Sequence, residues 1–342
     1  MVAPESCPDC RFDGAHYDLR DALGTLRATP PMWLQSVERV ADTVLALRPT
    51  PGSWSAAERA AHSADVIGAV ERRLHQVLTE DAPVLAPLSD ERAPDASDGF
   101  DAAFDRLEDR VQRLHDRAAA GGNDSDPQWK RRGQLGDQIV DAAWLLRHAI
   151  HDTTHQLHAV GRGLHQLGAG APTQVGAVAQ INVSQGGVPK TSIGSAEVGW
   201  RGLVGDRQTA RQHHGKPMQA LCLWSAEVIE ALQDEGHPIG AGFAGENMTL
   251  SGIDWSTIRP GVQLRIGEVH AEISAWAAPC KKNAAWFLGR DFNRMSHDLH
   301  PGWSRAYAWV REPGIVATHD EVIVEPRGAS AGLARGHGTS DR

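Results

Sequence analysis

The segment HAIHDTTHQLH places His148, His151, His155 and His158 within eleven positions. Histidines at i and i+4 on one helix present two ring nitrogens to one ion, as helical metal motifs do. At about 100° per residue the four fall within an arc of about 80°, opposite Ile139, Leu146, Ile150, Leu157 and Leu164. They are therefore expected off the core. Asp137, Asp141 and Arg162 share their side, as on a plain solvated face, so a metal site needs a further ligand from another helix. PGSWSAAERAAHSAD offers one, with Ser55 at an N-cap, Glu58 completing a capping box and His62 two turns in.

Four cysteines (Cys7, Cys10, Cys222, Cys280) in 342 residues are too few for a disulfide framework. Cys7 and Cys10 form one CxxC with no second pair, so no complete zinc site is visible. Metal or redox chemistry at this pair stands against a frayed terminal turn. Cys280 precedes Lys281 and Lys282, whose charge favours a thiolate if the cysteine is exposed; an inert buried cysteine is the alternative. Cys222, in ALCLW, reads as core. In GLVGDRQTARQHHGKPMQAL, Gly202 and Gly205 permit tight turns. Arg207, Arg211, His213, His214 and Lys216 put cations nearby, which suits an anion such as a phosphate. Two ordinary turns with a solvated basic loop would read the same way.

Four helices are predicted to position the first set, over 32–47, 55–80, 100–118 and 135–166. The spacing is clearest in Phe100, Ala103, Phe104, Leu107, Val111 and Leu114, and four such helices make a bundle. GLHQLGAGAPTQVG then reads as a linker expected to tolerate a cut. Beyond it, QVGAVAQINV, QLRIG, VHAEISAW and DEVIVE are β-prone runs separated by glycine turns. The last stretch, RGASAGLARGHGTSDR, is expected to be a disordered tail.

The net charge of −9 is uneven. Residues 1–170 hold 18 Lys+Arg against 26 Asp+Glu, and 171–342 hold 16 against 17. Neither half has the basic stripe of a general nucleic-acid binder. No apolar run approaches the ~18–20 residues that span a bilayer, and the start lacks a basic segment followed by an apolar one. A cytoplasmic location is expected.

The order W-S-x-x-E-x-x-x-H (Trp54, Ser55, Glu58, His62), followed by H-x-x-x-H (His151, His155), resembles the DinB/YfiT-like four-helix bundle family across roughly residues 15–166. The resemblance implies a divalent metal, zinc or nickel, on His62, His151 and His155, with His148 and His158 as neighbours. Some members activate a low-molecular-weight thiol at the metal's open position, and a metal does lower a bound thiol's pKa.

The second half resembles the MOSC domain over roughly 174–326, through G-x-x-G-D-R, a later H-G, G-E-N and P-C. This implies a β-barrel-like domain that binds a molybdenum cofactor (molybdopterin) or carries sulfur, with Cys280 as molybdenum ligand or persulfide carrier. Gly205, Asp206, Arg207, His214, Gly215, Glu246 and Asn247 would surround the cofactor, with Lys216 and Lys281 beside them. Lys216 stands where many relatives have glycine, and AAPC replaces the usual P-R-x-P-C. The pyridoxal-phosphate domain fused to some relatives has no counterpart in this sequence.

The expected chain is thus multidomain α and β: a four-helix bundle at 1–166, a linker at 167–173, a mainly β MOSC domain at 174–326 and a tail at 327–342. Its expected function is molybdenum-cofactor-dependent reduction of a small molecule, such as an N-hydroxylated compound. Metal-dependent transfer of a low-molecular-weight thiol in the bundle, or non-catalytic carriage of sulfur or cofactor, are the alternatives. A small-molecule substrate and a redox partner are expected, and neither nucleic acid nor membrane.

Overall fold

The computed structural model describes residue 2 and residues 5–88, 94–123, 125–208 and 215–325. The expected tail and His214 lie outside the described residues. The chain opens with a short hairpin, β1 (Ser6–Cys7) and β2 (Phe12–Asp13). Asp18 then starts α1 (Leu19–Ser36) by accepting the Asp21 N–H at 2.7 Å.

Sequence spacing predicts this first helix over 32–47, after the Pro30–Pro31 pair. Instead α1 runs through both prolines, and only a single turn, α2 (Asp42–Leu45), follows. Leu19, Ala22, Leu26, Met32 and Trp33 form its buried stripe. Burying each large side chain contributes about 1.5–3 kcal/mol. Together they offset the roughly 3 kcal/mol that each of the two interior prolines costs.

The second long helix, α3 (Ala56–Thr79), begins with the expected capping box. Ser55 Oγ accepts from Glu58 N at 3.2 Å, and Glu58 Oε2 accepts from Ser55 N at 2.8 Å. The bundle is completed by α4 (Gly99–Ala119) and α5 (Ala142–Gln166). The predicted helix over 135–166 is shorter at its start. β3 (Val84–Leu85), β4 (Arg132–Leu135) and β5 (Gln138–Asp141) form a small sheet there. Gly136, at φ +60°, turns the chain between β4 and β5, and Asp141 caps α5 through the Trp144 N–H.

After residues 167–173 the chain becomes mainly β. The ten-residue β6 (Gln174–Val183) pairs with β7 (Thr191–Ile193). β8 (Ser195–Gly199) and β9 (Gly202–Leu203) lie outside the main sheet. Next come β10 (Leu221–Ser225), α6 (Ala226–Asp234), β11 (Met248–Ser251), β12 (Gln263–Ile266) and β13 (Val269–Trp276). The last strands are β14 (Ala306–Glu312), β15 (Gly314–Ala317), which pairs β8, and β16 (Glu321–Glu325). The order β11-β10-β14-β13-β12-β16-β6 closes when β6 pairs again with β11, giving a seven-stranded barrel. Closure leaves these strands no open edge. Leu221, Leu223, Leu264, Ile266, Ile273 and Val322 are buried in its core.

The two halves meet through Met218, Ala275 and Trp309, which join the core of the bundle, and through polar contacts. Gln35 accepts from Trp276 N at 2.9 Å, His297 meets Glu38 at 2.6 Å, and Arg201 meets Asp21 at 2.7 Å. Deeper in, Glu272 Oε2 accepts from Arg311 Nε at 2.9 Å and lies 3.1 Å from His158 Nδ1. His158 was expected off the core on its polar face, yet it is buried. A helical wheel gives the face on which a residue lies but not what covers it. Among the described residues, no helix is long and apolar enough to cross a membrane.

Candidate functional site

The strand registers bring the end of β6, the starts of β10, β11 and β14 and the turn after β13 to one end of the barrel. A cleft opens there with about 800 Å³ between its walls, counted to its open mouth. Cys280, half-buried, lines it together with Asp206, Arg207 and Asn247, all four expected from sequence. Lys190, Arg305, Asn283, Tyr307 and Cys222 complete much of the wall.

Asp206 ties this wall together. Its Oδ1 accepts from Ser184 N at 2.8 Å, and its Oδ2 accepts from Lys190 Nζ at 2.6 Å and Asn247 Nδ2 at 2.9 Å. Asn247 also bridges strands: its Oδ1 accepts from Cys222 N at 3.1 Å, while its carbonyl accepts from Asn182 N. Glu246, fully buried, holds the preceding turn through Gly242 N and Thr249 Oγ1. Burial pushes its carboxyl pKa up, which suits a structural group better than a ligand-facing one.

The other described residues of the expected set do not line the cleft. Gly205 and Gly215 line a neighbouring depression with Gln185 and Arg201. Lys281 is exposed at the start of the turn after Cys280, and Lys282 lines the wall in its stead. Lys216 packs across α1, so that a Cβ on Gly24 would come within 2.0 Å of its Cε. The lysine that replaces the usual glycine is thus spent on the interface between the halves.

The two glycines of GLVGD are not equivalent. Gly202 (φ +107°) faces Ala220 O, only 2.1 Å from where its Cβ would lie, whereas Gly205 (φ +91°) has open space. Gly205→Ala is expected to cost about 1–3 kcal/mol of backbone strain. Gly202→Ala should cost more, since the carbonyl must also move. Urea unfolding of both variants checks the order, and equal losses would contradict the close approach.

On the bundle, His62 and the HxxxH pair part company. His62 Nε2 is 3.1 Å from Asp152 Oδ1, and Ser63 donates to the same carboxylate. Burial works to raise the Asp152 pKa, but these contacts outweigh it and hold it low. In place of a His62–His151–His155 set, the structure groups His151 and His155 with Cys7 and Cys10. Glu5, His148 and His151 form a second group. No spacing rule links residues 7–10 to 151–155, so the sequence left the CxxC without its other half.

Residues 25–160 match the DinB superfamily and residues 210–323 match the MOSC domain. The chain thus carries a DinB superfamily domain in its helical half and a MOSC domain in its barrel. Among solved structures it is similar to the YUAD protein from Bacillus subtilis (14% identity, 44% of this chain, 96% of that chain, TM-score 0.38). It is also similar to YiiM from Escherichia coli (21%, 46% and 72%, TM-score 0.36). A third is YfiT from Bacillus subtilis (19%, 44% and 87%, TM-score 0.35), described as a probable metal-dependent hydrolase with an unusual four-helix bundle topology. No curated protein matches the chain.

Proposed function

We propose that the barrel holds a molybdenum cofactor in this cleft, with Cys280 as its protein sulfur ligand, and that the loaded protein reduces a small molecule such as an N-hydroxylated compound. The observation that carries this reading is the donor set. A half-buried thiol shares the cleft with the side chains of Asn283 and Arg305, whose Nδ2 and Nε are buried donors with no hydrogen-bond partner among the described residues. Leaving such donors unpaired costs about 1–3 kcal/mol each. An anionic ligand, such as the phosphate of a pterin cofactor, supplies the acceptors they lack, and a soft sulfur suits a sulfur-ligated metal.

The other side chains divide the work. Arg305 Nη1 and Nη2 are anchored on Ala244 O and Ala278 O, and its Nε–H is left without an acceptor among the described residues. Arg207 and Lys282, exposed at the rim, draw an anion inward. Cys222 lines the same cleft but is buried, which pushes its thiol pKa up, whereas Cys280 is only half-buried and is the thiol open to a ligand. When bound, the cofactor supplies oxygen-atom and electron transfer at its metal.

Protein from a host that makes the cofactor is expected to reduce an N-hydroxylated amidine to the amidine and water, taking electrons from reduced viologen and protons from solvent. Cys280→Ser should lower turnover by more than the roughly 10–100-fold that loss of an outer-shell partner costs at a metal site. Loaded wild type without turnover, together with a persulfide on Cys280, would favour sulfur carriage.

A further inference from the structure

The hairpin β1–β2 lays Cys7 and Cys10 against the polar face of α5. One ligand atom from each of Cys7, Cys10, His151 and His155 lies within 4.8 Å of the others, although Cys7 and His155 are 148 residues apart in sequence. Cys7 Sγ is 3.7 Å from His155 Nδ1. A tetrahedral zinc ion, with Zn–S about 2.3 Å and Zn–N about 2.0–2.1 Å, sets sulfur and nitrogen ligands about 3.6 Å apart. The observed separation fits one edge of that tetrahedron.

The groups around these four are those that orient metal ligands. Glu5 Oε1 lies 2.7 Å from His151 Nδ1, an acceptor for a proton there that would leave Nε2 to a metal. That Nε2 is buried and has no hydrogen-bond partner among the described residues. Phe12 stacks on the same ring, with centroids 4.6 Å apart. On His155 the second nitrogen, Nε2, lies 3.9 Å from Asp9 Oδ2, and Asp9 is itself held by Arg162. A carboxylate at hydrogen-bond distance behind a ligating imidazole, as Glu5 stands behind His151, is the usual outer support of a zinc site. Backbone N–H groups of Asp9 and Cys10 also point at the Cys7 sulfur, and Cys10 is only 1% exposed.

We infer that Cys7, Cys10, His151 and His155 bind one zinc ion in a closed four-ligand site that clamps the N-terminal hairpin to α5. With four protein ligands the ion has no open position for a thiol or substrate, so its role is structural. The Glu5, His148 and His151 group is a weaker candidate. Both histidines already meet the Glu5 carboxylate, at 2.7–3.1 Å, and form a hydrogen-bonded cluster as they stand.

Cobalt(II) exchanged into the purified full chain reports on the ligands directly. Wild type should take up about one ion per chain and show the intense visible bands of a tetrahedral site with a sulfur-to-cobalt charge-transfer band in the near ultraviolet. Cys7→Ser and Cys10→Ser should each weaken or remove that band, and His151→Ala should lose the ion. His62→Ala should keep both ion and band. Wild-type cobalt without the charge-transfer band overturns the site whether or not any variant folds. Metal lost from His62→Ala but kept by Cys7→Ser overturns it as well.

Discussion

Glu272→Ala should cost about 3–5 kcal/mol and lower Tm on the order of 10 °C, because it removes the carboxylate from a buried charge cluster. Glu272 is 0% exposed, Arg311 6% and His158 4%. Without the carboxylate, Arg311 keeps its charge in a buried site, resting on the Trp309 ring but without the Glu272 ion pair. His158 comes from α5 and Glu272 from β13, so the loss falls on the joint between the halves. His158→Ala should cost less, since Glu272 and Arg311 still neutralise each other and no permanent charge is stranded. Urea unfolding of the two variants gives the comparison. A Glu272→Ala loss below about 1 kcal/mol would mean that the cluster is open to water.

Asp206→Ala should be the most damaging single change in the cleft wall. Its carboxylate is 3% exposed and its partner Lys190 9%, so removal leaves a nearly enclosed ammonium unpaired. A loss of about 3 kcal/mol or more is expected. Ser184 N and Asn247 Nδ2 lose their acceptor as well. Adding Lys190→Met should recover part of the stability, because the stranded charge goes with it. The double variant should still retain cofactor poorly, since the loop that carries Arg207 is no longer tied to β11. Strictly additive losses in the two single variants would show that the pair is not coupled.

These two clusters also mark the limit of what the sequence disclosed. β6 and β13 stand over the same residues as the runs QVGAVAQINV and VHAEISAW, because alternation and the flanking glycines act locally. The Ser55–Glu58 capping box and the positions of Cys280, Asp206 and Asn247 in the cleft were legible for a similar reason, each lying in a short motif. Lys190, Arg305 and Asn283 were not. They come from separate loops that only barrel closure brings together, and no local pattern marks them. The first helix was placed at 32–47, whereas α1 starts at Leu19 and runs through Pro30 and Pro31, held by buried Leu26, Met32 and Trp33. Lys216 was assigned to the cofactor on the strength of its neighbours in sequence, whereas its side chain lies over Gly24.

Molybdenum K-edge X-ray absorption on protein purified from a cofactor-competent host, with wild type and Cys280→Ser compared at equal molybdenum content, tests the assignment of Cys280 most directly. The account predicts that wild type carries molybdenum with pterin and that the variant, where it holds any, shows one sulfur neighbour fewer. Wild type purified without molybdenum from such a host, or identical sulfur shells in the two proteins, would contradict it.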